Sequence, residues 1–89
     1  ARWGKFCPWE YETRGWIYLD RGDAAKAIAD FDRTLKAQPW SSWALLGRSQ
    51  AYYELDRLDE AKQDVSKFLA QAPQHFRASE ARSLLELLK

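Results

Sequence analysis

The stretch from Trp43 to Leu55 carries two apolar stripes on one predicted helix. The first stripe recurs at i, i+4 and i+7, and the second at i, i+3, i+7 and i+10. The residues of the first are Leu45, Ser49 and Tyr52, and those of the second are Trp43, Leu46, Gln50 and Tyr53. A helix at the edge of a small domain needs only one apolar stripe. The pattern therefore predicts that this helix lies in the middle of the fold and offers a second surface.

Four further segments have the apolar period of a helix, and no segment has the alternation of a strand. These predicted helices run over about 9–21, 24–37, 58–71 and 76–88. Residues 1–8 have no regular period and are expected to form an extended arm. The chain is thus predicted to be all-α.

Turn-forming residues separate the predicted helices. Gly22 is expected to end the first helix, and Asp23 is expected to cap the second. A proline ends each of the second and fourth helices, because it disfavours helical geometry in the residue before it. Ser41 or Ser42 is expected to cap the central helix.

Composition suits one compact domain whose partners are not selected by bulk charge. Of the 89 residues, 46% are hydrophobic and 30% are charged. The net charge is only +1, so no global field favours nucleic acid or an anionic membrane. No apolar run reaches the roughly 20 residues that a membrane span needs.

Cysteine use favours a cytoplasmic protein. Cys7 is the only cysteine, so no intramolecular disulfide can form. The first residues lack the apolar core of a signal peptide. Because the chain starts at Ala1 without Met, a signal could have been removed, or the sequence could be a piece of a longer protein.

The residues that could carry catalysis or bind a metal are isolated from one another. His75 has no second His or Cys at a ligand spacing, and Cys7 has no partner that would activate it. The acidic residues Asp30 and Asp32 are expected on the solvated side of a helix. No glycine-rich phosphate loop is present. The sequence therefore predicts no enzyme, no metal site and no cofactor.

One half of the sequence matches the other when it is shifted by the number of residues from Pro39 to Pro73. We call this number the repeat period. The pairs that keep their size class are Tyr11 and Leu45, Gly15 and Ser49, Tyr18 and Tyr52, Ala27 and Ala61, Phe31 and Val65, Leu35 and Leu69, and Pro39 and Pro73. A fixed period of this length is typical of a helical solenoid, in which each helix pair packs on the next. The small residues are expected where paired helices cross, because they let the two backbones approach closely.

These residues resemble the tetratricopeptide repeat (TPR) family. The segment from Tyr11 to Pro39 follows the family's order of aromatic, small, Tyr, Gly-Asp, Ala, aromatic and Pro positions. The segment from Leu45 to Pro73 follows it too, with Asp56 and Arg57 in place of Gly-Asp. The resemblance implies an all-α, right-handed helical-hairpin solenoid of five helices. Its units would be the arm at 1–8, repeats at 9–41 and 42–73, and a capping helix at 74–89.

Tryptophan is unusually frequent, with five in 89 residues. In proteins similar to TPR arrays, the first helices of successive repeats line a concave groove that binds a peptide or a partner helix. The resemblance implies a groove lined by Trp9, Glu12, Thr13, Trp16, Asp20, Trp43, Leu46, Gly47, Gln50, Tyr53 and Glu54. Exposed aromatic clusters usually mark an interaction site. The expected function is therefore non-enzymatic binding of a protein or peptide.

One specialised ligand is disfavoured. TPR domains that bind the C-terminal tails of heat-shock chaperones use Lys, Asn and Arg at set positions of the groove. The matching residues here are Glu12, Trp16, Gly47, Arg77 and Ala81. Only Arg77 fits. The groove is instead expected to prefer an apolar ligand that brings a basic residue to Glu12, Asp20 or Glu54.

Two other functions are weighed against peptide binding. In an assembly role, the aromatic surface would be filled by another copy, by the arm or by further repeats. Leu84 and Leu87 favour this role, because they lie off the stripe through Leu85 and Leu88 and would otherwise be exposed. Nucleic-acid binding, known from related helical repeats, needs a basic groove, whereas the expected groove is acidic.

Overall fold

The computed structural model describes residues 8–88, together with the side chains of residues 10–88. The predicted arm, apart from its last residue, and the side chain of Trp9 lie outside the described residues. Five α-helices pack in sequence as hairpins, which confirms the all-α prediction. They are α1 (Pro8–Asp20), α2 (Ala24–Ala37), α3 (Ser42–Glu54), α4 (Leu58–Gln71) and α5 (Ala78–Leu88). None of the described helices is long and apolar enough to cross a membrane.

The last helix begins two residues later than its apolar pattern predicts. Its first residue is Ala78, whereas the pattern places Phe76 there. The backbone N–H of Arg77 donates to Nδ1 of His75 over 3.1 Å, and that of Ala78 donates to the His75 carbonyl over 2.9 Å. A side-chain acceptor of this kind competes with helical hydrogen bonding. His75, Phe76 and Arg77 therefore belong to the turn between α4 and α5.

The turns inside the two hairpins repeat with the period of the sequence. Gly22 has a φ of 80°, and Asp56, its counterpart one repeat period later, has a φ of 63°. Both values lie in the left-handed region, which Gly adopts freely and Asp tolerates better than most residues. In each turn the following residue donates its N–H to a tyrosine carbonyl of the preceding helix, over 2.8 and 2.9 Å. Asp56 thus replaces glycine without changing the turn.

Both predicted residues occupy the N-cap position of their helices, but only Ser41 makes the capping hydrogen bond. Ser41 precedes α3, and its Oγ accepts the N–H of Ala44 over 3.3 Å. Asp23 precedes α2, but its side chain makes no capping hydrogen bond. Its carboxylate instead lies 3.7 Å from Nζ of Lys26, so an ion pair along the first turn replaces the cap.

The ring of Phe31 in α2 packs against glycines of two other helices. Phe31 is fully buried. A Cβ built on Gly15 of α1 would lie 2.8 Å from the ring, and a Cβ built on Gly47 of α3 would overlap the ring. Carbon atoms in contact normally lie about 3.5–4.0 Å apart, so neither position can carry a side chain without movement of the ring. Phe31 therefore sets how closely α1 and α3 approach α2.

Two clusters of buried side chains form the core. The first surrounds Phe31 between α1, α2 and α3, and the second surrounds Phe68 between α3, α4 and α5. Trp16 and Leu35 are partly buried and pack against both clusters. The two hairpins therefore share one continuous core with α5.

Leu84 lies in the second cluster and is only 8% exposed, so the prediction that it is exposed is wrong. Ala81, Leu84 and Leu85 all fall within the apolar face of α5, which is wide enough to bury more than the single predicted stripe. Leu87 is 65% exposed, as predicted. Of the two leucines that the sequence offers for assembly, Leu84 is therefore already covered and Leu87 is not.

An Arg–Asp ion pair recurs in both hairpins with the same period. Arg14 donates from Nε and Nη2 to Asp30, in both cases over 2.8 Å. Arg48 donates in the same way to Asp64, over 2.7 and 2.8 Å. Asp30 is buried, so the prediction that it lies on a solvated face is wrong. A bidentate guanidinium satisfies the carboxylate oxygens and so permits the burial.

The ion pairs keep both guanidiniums charged and join the two hairpins. The hydrogen bond to Asp64 is the main reason that the pKa of Arg48 is raised above its ordinary value, against the opposing effect of burial. The pKa of Arg14 is also raised, chiefly by its hydrogen bond to Asp30. Arg48 donates in addition from Nη1 to Asp32 of α2 over 2.7 Å. One guanidinium therefore links α3 both to α4 and to α2.

Replacing Gly47 with Ala is expected to destabilise the protein by about 1–3 kcal/mol, because the new methyl group overlaps the Phe31 ring. This is the net loss: in a helix interior Ala is more favourable than Gly by roughly 1 kcal/mol, which offsets part of the cost of the overlap. In the double variant Gly47→Ala with Phe31→Leu, the two losses should not add, because the smaller side chain makes room. Urea unfolding measures the three variants. Wild-type stability of Gly47→Ala would contradict the close packing.

Replacing Arg48 with Met is expected to cost about 3 kcal/mol, because it leaves the buried Asp64 carboxylate without its charged partner. The double variant Arg48→Met with Asp64→Leu should regain most of that loss. The control is Arg57→Met, whose partner Glu60 has a side chain that is 40% exposed, with an expected change below about 1 kcal/mol. Thermal unfolding measures all three, and equal losses for the two single variants would argue against the role of burial.

Candidate functional site

A depression of about 330 Å³ opens between α1, α3 and the turn that precedes α5. It is lined by Thr13, Trp16, Ile17, Asp20, Trp43, Gln50 and Arg77. The side chains from α1 and α3 come from successive turns of two helices that contact each other. The depression therefore follows the helical stripes that the sequence predicts as a binding surface.

A second depression, of about 470 Å³, lies between α3 and α5. It is lined by Gln50, Tyr53, Glu54, Glu80, Ser83, Leu84 and Leu87. Gln50 borders both depressions, so they adjoin along α3. We call the two depressions together the groove.

Seven of the eleven residues expected in a peptide groove border the two depressions. Those that line the groove are Thr13, Trp16, Asp20, Trp43, Gln50, Tyr53 and Glu54. Glu12 is not among them, because its carboxylate accepts a hydrogen bond from Oγ of Ser41 over 2.6 Å. Glu12 thus ties α1 to the start of α3 and is not available to a basic ligand in this arrangement.

The sequence predicts Leu46 and Gly47 in the groove, but both are buried, so this placement is wrong. Leu46 is fully buried in the second core cluster. Gly47 faces the Phe31 ring. The helix α3 contacts α1, α2 and α4. These neighbours bury more of its surface than the first apolar stripe alone would. Its exposed stripe is therefore narrower than predicted.

Among the described side chains, four aromatic rings cluster where α1, α3 and the turn before α5 meet. The ring centroid of Trp43 lies 5.2 Å from that of Trp16, and 5.5 Å from those of both His75 and Phe76. His75 and Phe76 stack at 4.7 Å. Phe76 is nevertheless 79% exposed. The sequence prediction missed His75 and Phe76 as groove neighbours, because the apolar pattern places the start of a helix there.

Arg77 brings a positive charge to the groove. Its guanidinium carbon lies 4.9 Å from the ring centroid of Trp43 and 5.4 Å from that of Trp16, where a cation is attracted to the aromatic faces. Its ion pair with Glu80, at 3.3 Å, lies at the surface. The groove is therefore not uniformly acidic, contrary to the expectation. The sequence analysis matches Arg77 to a groove position of the TPR pattern, one repeat period after Trp43, but leaves its charge out of the expected groove.

The indole Nε1 of Trp16 is buried and has no hydrogen-bond acceptor in the described part of the protein. An unsatisfied buried donor of this kind costs about 1–3 kcal/mol. Packing holds the ring in place, because its centroid lies 5.7 Å from that of Phe31 in an edge-to-face contact and it also contacts Trp43. The aromatic cluster thus contains a polar group whose desolvation is not compensated.

The other end of the groove is acidic. Asp20 and Glu54 are the last residues of α1 and α3, and Glu80 lies in the first turn of α5. The C-terminal end of a helix carries partial negative charge, so an acidic residue there is unfavourable. Neither α1 nor α3 has a basic residue in its last turn. Negative charge therefore accumulates at this end without compensation from the same helices.

Within the described part of the chain, no three His, Cys, Asp or Glu side chains come together in a way that could hold a metal ion. His75 packs against aromatic rings, with its centroid 5.1 Å from that of Phe68. Its Nδ1 accepts the N–H of Arg77. These contacts give His75 a structural role in shaping the turn that carries Phe76 and Arg77.

Comparison with known proteins identifies the family. A search of curated proteins and a search of solved structures each give no match. A family model for the tetratricopeptide repeat matches residues 18–88, which is most of the chain. Members of this family generally act as protein–protein interaction modules and are typically non-catalytic. With its repeated helical hairpins and the matching sequence pattern, the chain belongs to the tetratricopeptide repeat family.

Proposed function

We propose that the groove binds a helix or an extended peptide of a protein partner, without catalysis. The observation that carries this proposal is the apolar surface left exposed along the groove. Tyr53 and Leu87 in the second depression are 40% and 65% exposed, and Phe76 beside the first is 79% exposed. Clustered exposed apolar residues usually mark a binding surface. Aromatic residues also contribute a large part of the energy at protein interfaces.

The acidic end and the apolar middle of the groove favour a partner of particular chemistry. The carboxylates of Asp20 and Glu54, which no basic residue in the last turn of either helix compensates, favour a basic residue of the partner. The middle, between Gln50 and Leu87, favours apolar side chains. The partner segment is therefore apolar, with a basic residue toward the ends of α1 and α3.

Self-association through the same surface is the second candidate. Leu87 supports it, because a leucine that is 65% exposed is suited to contact with another copy. Under our proposal the protein stays monomeric across a concentration series in sedimentation velocity. A dimer that forms with rising concentration and is lost in Leu87→Glu would favour self-association instead.

The double variant Tyr53→Ala with Leu87→Glu is expected to weaken partner binding by more than about tenfold, since each change removes an exposed anchor from the groove. Both side chains are exposed, so the fold should keep its stability. A pulldown with the wild-type domain supplies the partner, and isothermal titration calorimetry measures its affinity.

The matched control is Leu58→Glu, which changes a leucine that is 41% exposed on α4, away from the groove. This control should bind like the wild type. Full binding by the folded groove variant, together with weakened binding by Leu58→Glu, would place the interaction elsewhere and refute the proposal.

A further inference from the structure

A second face of α1 has a counterpart within the same molecule. Among the described side chains of α1, those that line a depression of about 340 Å³ are Glu10, Thr13, Arg14 and Ile17. We call this the outer face of α1. A shift by one repeat period converts them into Ala44, Gly47, Arg48 and Ala51 of α3. The internal repeat therefore shows what such a face does when a helix covers it.

In α3 this set of residues contacts α2. Gly47 receives the ring of Phe31, and Arg48 donates from Nη1 to Asp32 over 2.7 Å. Ala44 and Ala51 are fully buried in the core cluster that contains Phe31. A helix that crosses this face thus places a carboxylate beside the arginine and packs its side chains against the small residues.

The outer face of α1 is exposed. Ile17 is 44% exposed, whereas its counterpart Ala51 is fully buried. The side chain of Arg14 is 51% exposed, against 23% for Arg48. Arg14 uses Nε and Nη2 for Asp30, and within the described residues its Nη1 makes no hydrogen bond. The donor that Arg48 uses toward a neighbouring helix is therefore available on Arg14.

We propose that the outer face of α1 binds a helix of another protein, in the way that α3 binds α2. The bound helix places a carboxylate against Nη1 of Arg14, as Asp32 does against Arg48. It places a small residue against Thr13, because Thr13 stands where Gly47 makes room for Phe31. This site adjoins the groove, and Thr13 and Ile17 line both, whereas Glu10 and Arg14 line the outer face alone.

The differences between the two faces indicate a separate partner that binds reversibly. Glu10 and Thr13 replace Ala44 and Gly47, so the face of α1 carries polar groups that water can solvate when no helix is bound. Permanent interfaces are more apolar and resemble a cut protein core. The outer face of α1 therefore suits a helix that associates and dissociates.

The test uses a peptide with the sequence of α2, residues 24–37, as the probe. Short isolated helices are marginal in water, so Ala25→Lys and Ala29→Glu, at exposed positions of α2, are joined by a lactam bridge. Phe31→Ala in the peptide supplies the small residue. Added to ¹⁵N-labelled protein, it should shift the amide resonances of Glu10 and Arg14 and the Nε resonance of Arg14.

Two paired comparisons test the chemistry of the contact. Asp32→Asn in the peptide should weaken binding about three- to fivefold, because one exposed ion pair is lost. In the protein, Thr13→Gly recreates the situation at Gly47. On the wild-type protein, the Phe31→Ala peptide should bind more tightly than the peptide that retains Phe31. On the Thr13→Gly variant, the peptide that retains Phe31 should bind more tightly.

Three results would overturn the proposal. One is the absence of shifts at Glu10 and Arg14 at millimolar peptide. Another is equal affinity of the peptides with and without the Asp32→Asn change. The third is a set of shifts centred on Gln50 and Tyr53, which would assign the peptide to the groove. The resonance shifts and the Asp32→Asn comparison are measured on the wild-type protein, so they test the proposal even if Thr13→Gly does not fold.

Discussion

The contact between the Phe31 ring and two glycines determines the spacing of three helices. Because Gly15 and Gly47 have no Cβ, α1 and α3 both approach α2 to the distance of the ring itself. That approach brings the first helices of the two hairpins together. Trp16 and Trp43 can then pack with their ring centroids 5.2 Å apart, and the groove opens beside them. The surface proposed for binding therefore depends on a packing constraint in the core.

The repeated ion pairs provide a second, electrostatic constraint. Each pair ties the first helix of a hairpin to the second helix through a bidentate guanidinium. Arg48 adds a bond to Asp32 and so fixes the second hairpin against the first. Arg14 makes the same bidentate contact to Asp30 in its own hairpin, and its Nη1 remains available on the outer face of α1. This asymmetry between equivalent residues is the basis for treating α1 as a binding surface as well as a core helix.

Much of the fold follows from the sequence because its determinants recur at one period. The spacing between Tyr11 and Leu45, or between Ala27 and Ala61, is enough to predict the hairpins and their order. Contacts between hairpins are harder to predict. Gly47 has Thr13 as its counterpart, so the period gives no sign that a small residue is needed there. The resemblance to TPR arrays consequently assigns Leu46 and Gly47 to the groove.

Charge is the other point at which apolar patterning misleads. Asp30 and Asp64 keep the same period as Arg14 and Arg48, so the signal for buried pairs is present in the sequence. Apolar patterning treats every carboxylate as solvated. It therefore misses ion pairs between residues that lie 16 positions apart in the sequence, such as Arg14 and Asp30. The start of α5 depends on one side-chain hydrogen bond, from the Arg77 N–H to His75, which periodicity does not register.

Site-specific photocrosslinking to a captured partner tests the central claim most directly. A photoreactive phenylalanine at Gln50 would report on the groove, because Gln50 borders both depressions. The same group at Lys62, on the exposed side of α4, serves as the control. Binding in the groove predicts a covalent adduct from position 50 and none from position 62. An adduct from position 62 alone would contradict the account.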